Sequence, residues 1–256
     1  MNARMLLCAI AVPASLTAAA SAQITQWNFN SIVPDAATGT GTTTPNIGTG
    51  SISNIGGTTT TFASGDASGG SSDPATGDDS GWNLTTFPAQ SAGSGTAGLQ
   101  GLTSTAGFQD IVVSWDLRTS NSGSRYYQFQ YTLDGSAAIP SYIPFGGDAS
   151  NIFTSGGGDF WNNGNSVNLS SIAGANNNAN FGFRIVSVFS PVGFTQTTLG
   201  LATFGPNAGY RAANADDRAY ATSGTWRFDL VTVVPAPGAL ALMGMGGLLV
   251  TRRRRA

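Results

Sequence analysis

Between residues 23 and 234 the large side chains alternate with polar ones, and this period of two restricts the chain to β-structure. Aromatic and polar residues alternate in three places: residues 26–30, 127–133 and 226–234. A strand with this pattern buries one face and leaves the other in water. Residues 111–117 and 181–189 are longer and more apolar runs, which is typical of central strands. The pattern predicts strands, and no segment between the two ends is typical of an amphipathic helix.

Turn-forming residues separate these stretches. Gly, Asn and Asp cluster at residues 121–123, 134–135, 156–158 and 162–164. Such clusters mark turns between strands. Short alternating strands joined by turns predict an all-β fold, an antiparallel β-sandwich that we expect to be a jelly roll. The sandwich is expected to occupy residues 23–234 as one domain.

The segment 36–107 is rich in Thr, Gly and Ser. Its composition also fits low-complexity disorder. However, residues 52–62 keep a rhythm of β-branched side chains, and residues 81–88 include a Trp and a Phe. We therefore expect Ser/Thr-rich strands in this segment.

The ionisable side chains are of very few types. The 256 residues include no Lys, Glu or His, so all 11 basic residues are Arg and all 13 acidic residues are Asp. This excludes a Ser-His-Asp triad, a Lys Schiff base and a His-ligated metal site. Residues 23–234 hold 13 Asp against 6 Arg, a net charge of −7. Nucleic acid is therefore not an expected partner, because phosphate binding needs clustered cations.

Residues 1–22 have the three parts of a secretory signal peptide. Arg4 precedes an apolar run over residues 5–16, and a stretch of small residues ends at Ala22. This order predicts an N-terminal signal helix, cleavage between Ala22 and Gln23, and an exported protein. The one cysteine, Cys8, lies inside this segment, so the domain that follows is expected to have no disulfide.

Residues 235–256 form a second segment with three parts. In order these are Pro235, Ala236 and Pro237, an apolar run over residues 239–250, and Arg252, Arg253, Arg254 and Arg255. The apolar run predicts a short C-terminal helix of about 18 Å, against about 30 Å for the hydrocarbon core of a membrane. The arginines are expected to stay on the cytoplasmic side, which leaves the preceding domain outside the inner membrane.

This segment resembles the PEP-CTERM sorting signal of Gram-negative bacteria, with Ala236 where the family name implies Glu. The resemblance implies an exosortase-type transpeptidase as a partner, which would recognise Pro235 to Pro237, cut nearby, and release or re-attach the protein at the cell surface. It also implies that the chain is anchored only transiently in the inner membrane. An ordinary C-terminal membrane anchor is the alternative.

The middle of the chain resembles the sandwich domains that occur in PEP-CTERM proteins and in some extracellular hydrolases. The resemblance lies in residues 113–118, 127–135 and 224–231. In those domains the first strand often pairs with the last, which implies that Trp27 and Trp226 are neighbours. Such motifs mark a fold rather than an activity.

Four aspartates are close together in Gly- and Ser-rich sequence: Asp66, Asp73, Asp78 and Asp79. Carboxylates on a flexible backbone are the ligands that calcium prefers. A calcium site is therefore one hypothesis for this region, and a solvated acidic turn is the other. No other cofactor is expected.

Asp229 lies on the face of the last strand that the alternation predicts to be wet. There it is expected to pair with a cross-strand arginine, Arg118 or Arg184.

Six aromatic residues lie in or beside turn-rich segments: Trp82, Tyr126, Tyr142, Phe160, Trp161 and Tyr210. Their ring faces are candidates for stacking on sugar rings. Core packing is the alternative for each of them.

These features favour a non-enzymatic, exported protein of the cell surface or extracellular matrix with a structural or adhesive role. The alternative is a carbohydrate-binding module that uses the aromatic residues, with calcium assisting and an exopolysaccharide or another glycan as the partner. A third hypothesis is a glycoside hydrolase with two catalytic aspartates, although no pair stands out in the sequence.

Overall fold

A computed structural model of the chain describes residues 23–74, 78–147, 151–198, 200–214 and 217–236. The predicted signal helix with Ala22, the C-terminal apolar helix, Pro237 and the four terminal arginines lie outside the described residues. In the described part of the chain, no helix has the length and apolar character needed to cross a membrane.

The described residues form short strands joined by turns, together with two single 3₁₀ turns at Ala67–Gly69 and Ala173–Ala175. The strands in chain order are β1 (Thr25–Trp27), β2 (Ile47–Gly48), β3 (Gly50–Ile55), β4 (Thr59–Ser64), β5 (Ser80–Thr85), β6 (Gly98–Thr103), β7 (Ile111–Thr119), β8 (Tyr126–Thr132), β9 (Ile143–Pro144), β10 (Ile152–Thr154), β11 (Phe160–Asn168), β12 (Phe181–Ser187), β13 (Phe194–Thr195), β14 (Thr203–Phe204) and β15 (Trp226–Pro235).

Two antiparallel sheets pack face to face. Sheet A has the order β11-β7-β15-β1-β2, with β5 also paired to β15 and β4 paired to β5. Sheet B has the order β10-β8-β12-β6-β3, with β9 also paired to β8. Eight of these strands form two sets of four, β11-β7-β15-β5 in sheet A and β10-β8-β12-β6 in sheet B. This is the strand order of the two sheets of a jelly roll. The predicted all-β antiparallel sandwich is confirmed.

The last strand, β15, lies at the centre of sheet A. It pairs along its length with β7, while on its other side β5 pairs with its first half and β1 with its second half. The ladder with β7 shifts register between Asp229 and Thr232, and Leu230 adopts a positive φ of 42°. This irregularity is a β-bulge, which bends the strand and redirects its side chains.

Aromatic rings from the two inner faces fill the core. The ring of Trp115 stacks on Phe129 at 5.8 Å between centroids, and Phe129 stacks on Phe183 at 5.9 Å. Tyr127 meets Trp226 edge-on at 5.9 Å. These side chains are at most 1% exposed, so the alternation of the sequence is realised as an interior packed between two sheets.

Several local predictions can be compared with the structure. Segment 36–107 contains β2 to β6, which confirms the predicted Ser/Thr-rich strands.

The first and last strands pair, as the resemblance implied, but Trp27 and Trp226 have different neighbours. Trp27 lies opposite Val231 and its ring contacts Phe183, whereas the ring of Trp226 contacts Phe87. The predicted turn at residues 162–164 is wrong, because these residues form a bulge inside β11.

Candidate functional site

The main grouping of acidic side chains lies on the outer face of sheet A. Asp73, Asp79 and Asp229 each place a carboxylate oxygen within 4.8 Å of the other two. Asp229 belongs to β15, whereas Asp73 and Asp79 lie in the connection between β4 and β5. We call these three residues the acidic centre.

Strand pairing brings the distant positions together. Trp82 of β5 lies opposite Phe228 of β15, so Asp79, just before β5, comes alongside the segment that follows Phe228. At the bulge, the backbone N–H of Leu230 donates to Oδ1 of Asp229 at 2.7 Å. The bulge therefore holds the Asp229 carboxylate in a fixed position.

Residues 65–74, which we call the cover segment, cross this face of the sheet. The N–H of Gly65 donates to the carbonyl oxygen of Asp79 at 2.8 Å, and the N–H of Ser71 donates to the carbonyl oxygen of Gly65 at 2.9 Å. A Cβ atom on Gly65 would overlap the Asp79 carboxylate. Glycine is therefore needed where the backbone approaches this carboxylate.

Asp73 is held by polar neighbours on both sides. Its N–H donates to Oγ of Ser71 at 3.1 Å, and its Oδ2 accepts from Nδ2 of Asn30 at 2.9 Å. The other amide atom of Asn30, Oδ1, accepts from the N–H of Ser80 at 2.7 Å. Asn30 therefore links Asp73 to the start of β5.

A fourth aspartate fastens the cover segment to the sheet. Asp116 lies opposite Asp229 in the β7–β15 ladder. Its Oδ2 accepts from the N–H of Ser72 at 2.6 Å, and its Oδ1 accepts from the N–H of Gly164 at 2.7 Å. The indole N–H of Trp161 adds a bond to the carbonyl oxygen of Ala67 at 2.8 Å. The cover segment is thus tied to β7 and β11.

Two carboxylates of the acidic centre are buried, and three of their four oxygens have no hydrogen-bond partner among the described residues. Asp229 is 0% exposed and Asp79 is 2% exposed. Neither oxygen of Asp79, nor Oδ2 of Asp229, has a hydrogen-bond partner among the described residues. Burial raises the pKa of Asp79 to about 6, and the neighbouring charge of Asp66 adds to this effect. Burial also raises the pKa of Asp229, and the charge of Asp79 acts in the same direction.

The arginines that form ion pairs within the described residues neutralise other carboxylates. Arg118 pairs with Asp159 at 2.6 Å, and Arg211 pairs with Asp217 at 2.5 Å. The expected pairing of Asp229 with Arg118 or Arg184 is therefore wrong: Arg118 has another partner, and Arg184 lies in β12 of the other sheet. The predicted wet face is in fact dry at Asp229, because the cover segment lies over it.

The acidic residues that the sequence singled out separate into two groups. Asp73 and Asp79 belong to the acidic centre, and the exposed Asp66 acts on the pKa of Asp79. Asp78 faces elsewhere, since its Oδ2 accepts from the N–H groups of Ser31, at 3.2 Å, and of Asp35. Asp229 is not among the aspartates that the sequence predicts for this site. The pairing of β5 with β15 is the structural feature that brings it there.

Three of the candidate stacking aromatics lie in the interior. Trp82 is 3% exposed and stacks on Phe29 at 5.6 Å, Trp161 is 7% exposed, and Tyr210 is 0% exposed. Of the two alternatives for these residues, core packing is therefore the one observed, because the turn-rich segments around them fold back onto the sheets. Tyr126 is half-buried, and Phe160 is 65% exposed.

Tyr142 is half-buried and lies against the outer face of sheet B. The guanidinium of Arg184 sits 3.5 Å from the centroid of its ring. Nε of Arg184 donates to Oε1 of Gln100 at 2.8 Å. In the sheet ladders, Arg184 lies between Gln100 and Gln130. These four residues form a polar patch, which we call the Arg184 patch.

The acidic centre gives no support to the glycosidase hypothesis. The two carboxylates lie about 6.5–9.5 Å apart in an inverting enzyme and about 5–5.5 Å apart in a retaining one, and in both they must be open to the sugar. Here the three oxygens are within 4.8 Å of one another, and the cover segment lies over them. A polysaccharide chain has no access to the buried pair in this conformation.

The predicted sorting motif begins inside the sandwich. Pro235 is buried and is the last residue of β15, opposite Ile111 of β7. The N–H of Ala236 donates to the carbonyl oxygen of Asp110 at 2.6 Å. The described domain therefore extends through the first two motif residues without an intervening linker.

No protein-family model matches this chain, and no curated protein matches it either.

Proposed function

We propose that this chain is an exported, non-enzymatic β-sandwich protein of the cell surface or extracellular matrix, with a structural or adhesive role. Its C-terminal segment would be processed by an exosortase-type enzyme after transient anchoring in the inner membrane. The continuity between β15 and the motif carries this proposal: Pro235 still pairs with Ile111, and Ala236 still bonds to Asp110. The enzyme would meet its motif at the edge of the folded domain.

The position of β15 in sheet A suits a protein that is held at the cell surface by its C-terminal end. β15 is paired along its length with β7 and with two further strands. A tether attached to the end of a central strand transmits load into the whole sheet.

Deleting the arginine tail tests the sorting proposal. The full chain and a variant lacking residues 252–255 would be produced in a Gram-negative host that has an exosortase. We expect the full chain to lose its C-terminal segment and reach the surface, and the variant to remain unprocessed in the inner membrane. A variant with lysine at these four positions is the matched control, because it keeps the charge that retains the tail in the cytoplasm. An identical mature mass and location for the full chain and the deletion variant would contradict the proposal.

The Arg184 patch favours glycan binding as a second candidate function. Within the described residues, no carboxylate lies within 4.0 Å of the Arg184 guanidinium, which is held by Tyr142 and Gln100. A fixed guanidinium pairs well with a carboxylate of an acidic sugar. Polygalacturonate is a suitable probe, and dextran is the neutral control. We expect Arg184→Gln to weaken polygalacturonate binding about tenfold. Equal binding of both polymers by the native chain would count against this candidate function.

A further inference from the structure

We infer that the acidic centre is a calcium site in which Asp73, Asp79 and Asp229 bind one ion and join the cover segment to β15. The inference goes beyond surface display, and it does not depend on the sorting proposal. It assigns to the fold a stabilising ion in a domain whose residues 23–234 include no cysteine.

The geometry is that of a built site rather than a solvated acidic turn. Its three carboxylates come from positions 73, 79 and 229, and their oxygens lie within 4.8 Å of one another. Asp79 and Asp229 are 2% and 0% exposed, so water does not screen them. Residues of an ordinary acidic turn are exposed and point away from one another, because like charges repel.

The orphaned oxygens point to a missing positive charge. Both oxygens of Asp79 and Oδ2 of Asp229 are buried without a hydrogen bond among the described residues. An isolated buried carboxylate is strongly unfavourable, and two side by side are worse. The ion-paired arginines of the described residues serve Asp159 and Asp217 instead. A bound cation would take these three oxygens as ligands and neutralise their charge.

The donor chemistry favours calcium. Every side-chain ligand of the acidic centre is a carboxylate oxygen, and the hydroxyl of Ser71 and the exposed carboxylate of Asp66 lie beside it. Calcium takes six to eight oxygen ligands in flexible geometry, whereas magnesium requires a near-ideal octahedron and retains most of its water. An irregular set supplied by a loop and a bulged strand fits the first ion better. Calcium is also held by extracellular modules with a Kd of about 10⁻⁴–10⁻³ M.

A bound ion would connect parts of the chain that are far apart in sequence. Asp229 is fixed by the bulge of β15, and Asp73 belongs to the cover segment, which Asp116 fastens to β7 and β11. The ion would therefore link the centre of sheet A to the connection between β4 and β5. Such a link stabilises the domain because the ion binds the folded state and not the unfolded one.

Calcium titration of the full chain tests the inference. The purified chain would be stripped of metal at pH 7.5, and its binding of CaCl₂ would be followed by calorimetry, with thermal unfolding recorded with and without 5 mM CaCl₂. We expect one calcium per chain and a rise in Tm of about 5 °C or more for a Kd near 10⁻⁴ M. The same concentration of MgCl₂ is expected to give a smaller rise.

Three variants distinguish a metal site from a merely structural cluster. We expect Asp229→Asn to fold without calcium and to lose both the binding heat and the Tm rise. Asp73→Asn, at a less buried position, provides the same test in case Asp229→Asn fails to fold. Asp134→Asn is the matched control, since Asp134 is exposed and lies outside the acidic centre. It should keep the full calcium response.

Two outcomes would overturn the inference. One is a folded native chain that gives no heat and no Tm rise up to 5 mM CaCl₂. The other is a calcium response that Asp73→Asn and Asp229→Asn both retain in full, which would place the ion elsewhere.

Discussion

Without calcium, the stability of the chain should fall as the pH rises from about 4 to about 7. Burial raises the pKa of Asp79 from 3.8 to about 6, so between these values the folded state binds a proton that the unfolded state has released. When the folded state binds more protons than the unfolded state, the free energy of unfolding decreases as the pH rises. A shift of about 2 pH units at about 1.4 kcal/mol each gives a loss of about 3 kcal/mol. The raised pKa values of Asp73 and Asp229 act in the same direction.

The composition of the chain makes the contribution of these aspartates to the pH dependence of stability easy to isolate. The chain has no His and no Glu, so no other side chain of ordinary pKa titrates between pH 5 and 8. Urea unfolding, followed by tryptophan fluorescence in metal-free buffers from pH 4.5 to pH 7.5, measures the effect. Asp79→Asn should reduce the slope of the profile, and calcium at pH 7.5 should restore the lost stability to the native chain. A free energy of unfolding that stays constant or rises over this range would refute the reasoning.

Two further predictions concern the sandwich and the cover segment. Trp226→Ala should lower the free energy of unfolding by about 3–5 kcal/mol, because the side chain is fully buried and its ring packs 4.9 Å from that of Phe87; urea unfolding measures this. Asp116→Asn should lower stability by about 1–3 kcal/mol, because its carboxylate accepts the backbone N–H groups of Ser72 and Gly164. Hydrogen exchange should then be faster at Ser72 and unchanged at a distant strand such as β12, whereas unchanged protection of Ser72 would contradict this role of Asp116.

The sequence was sufficient for the strands because their signal is local. Alternation over residues 127–133 and 226–234 corresponds to β8 and β15 almost residue for residue. The bulge at Leu230 was not predictable, because it depends on how β15 fits against β7 and β1. The bulge inside β11 was predicted as a turn because it contains Asn and Gly. A β-bulge and a turn both need residues that tolerate a positive φ.

The candidate site was only partly predictable, because alternation tells which face a side chain takes and not what covers that face. Asp229 was correctly placed on the outer face of the last strand, but the cover segment makes that position dry. Asp78 and Asp79 are neighbours in sequence, yet only Asp79 belongs to the acidic centre. The choice between stacking and core packing for Trp161 could not be made from the sequence for the same reason, since its partner Ala67 is 94 residues away in sequence.

A crystal structure determined from calcium-containing solution, with anomalous data that identify the ion, would test the calcium assignment most directly. The acidic centre should then show one anomalous peak with oxygens of Asp73, Asp79 and Asp229 at about 2.3–2.6 Å from it. Further oxygen ligands should complete a coordination number of about six to eight. The contradictory result is the same three carboxylates with no peak between them, and with Asp79 and Asp229 sharing a proton in a short hydrogen bond.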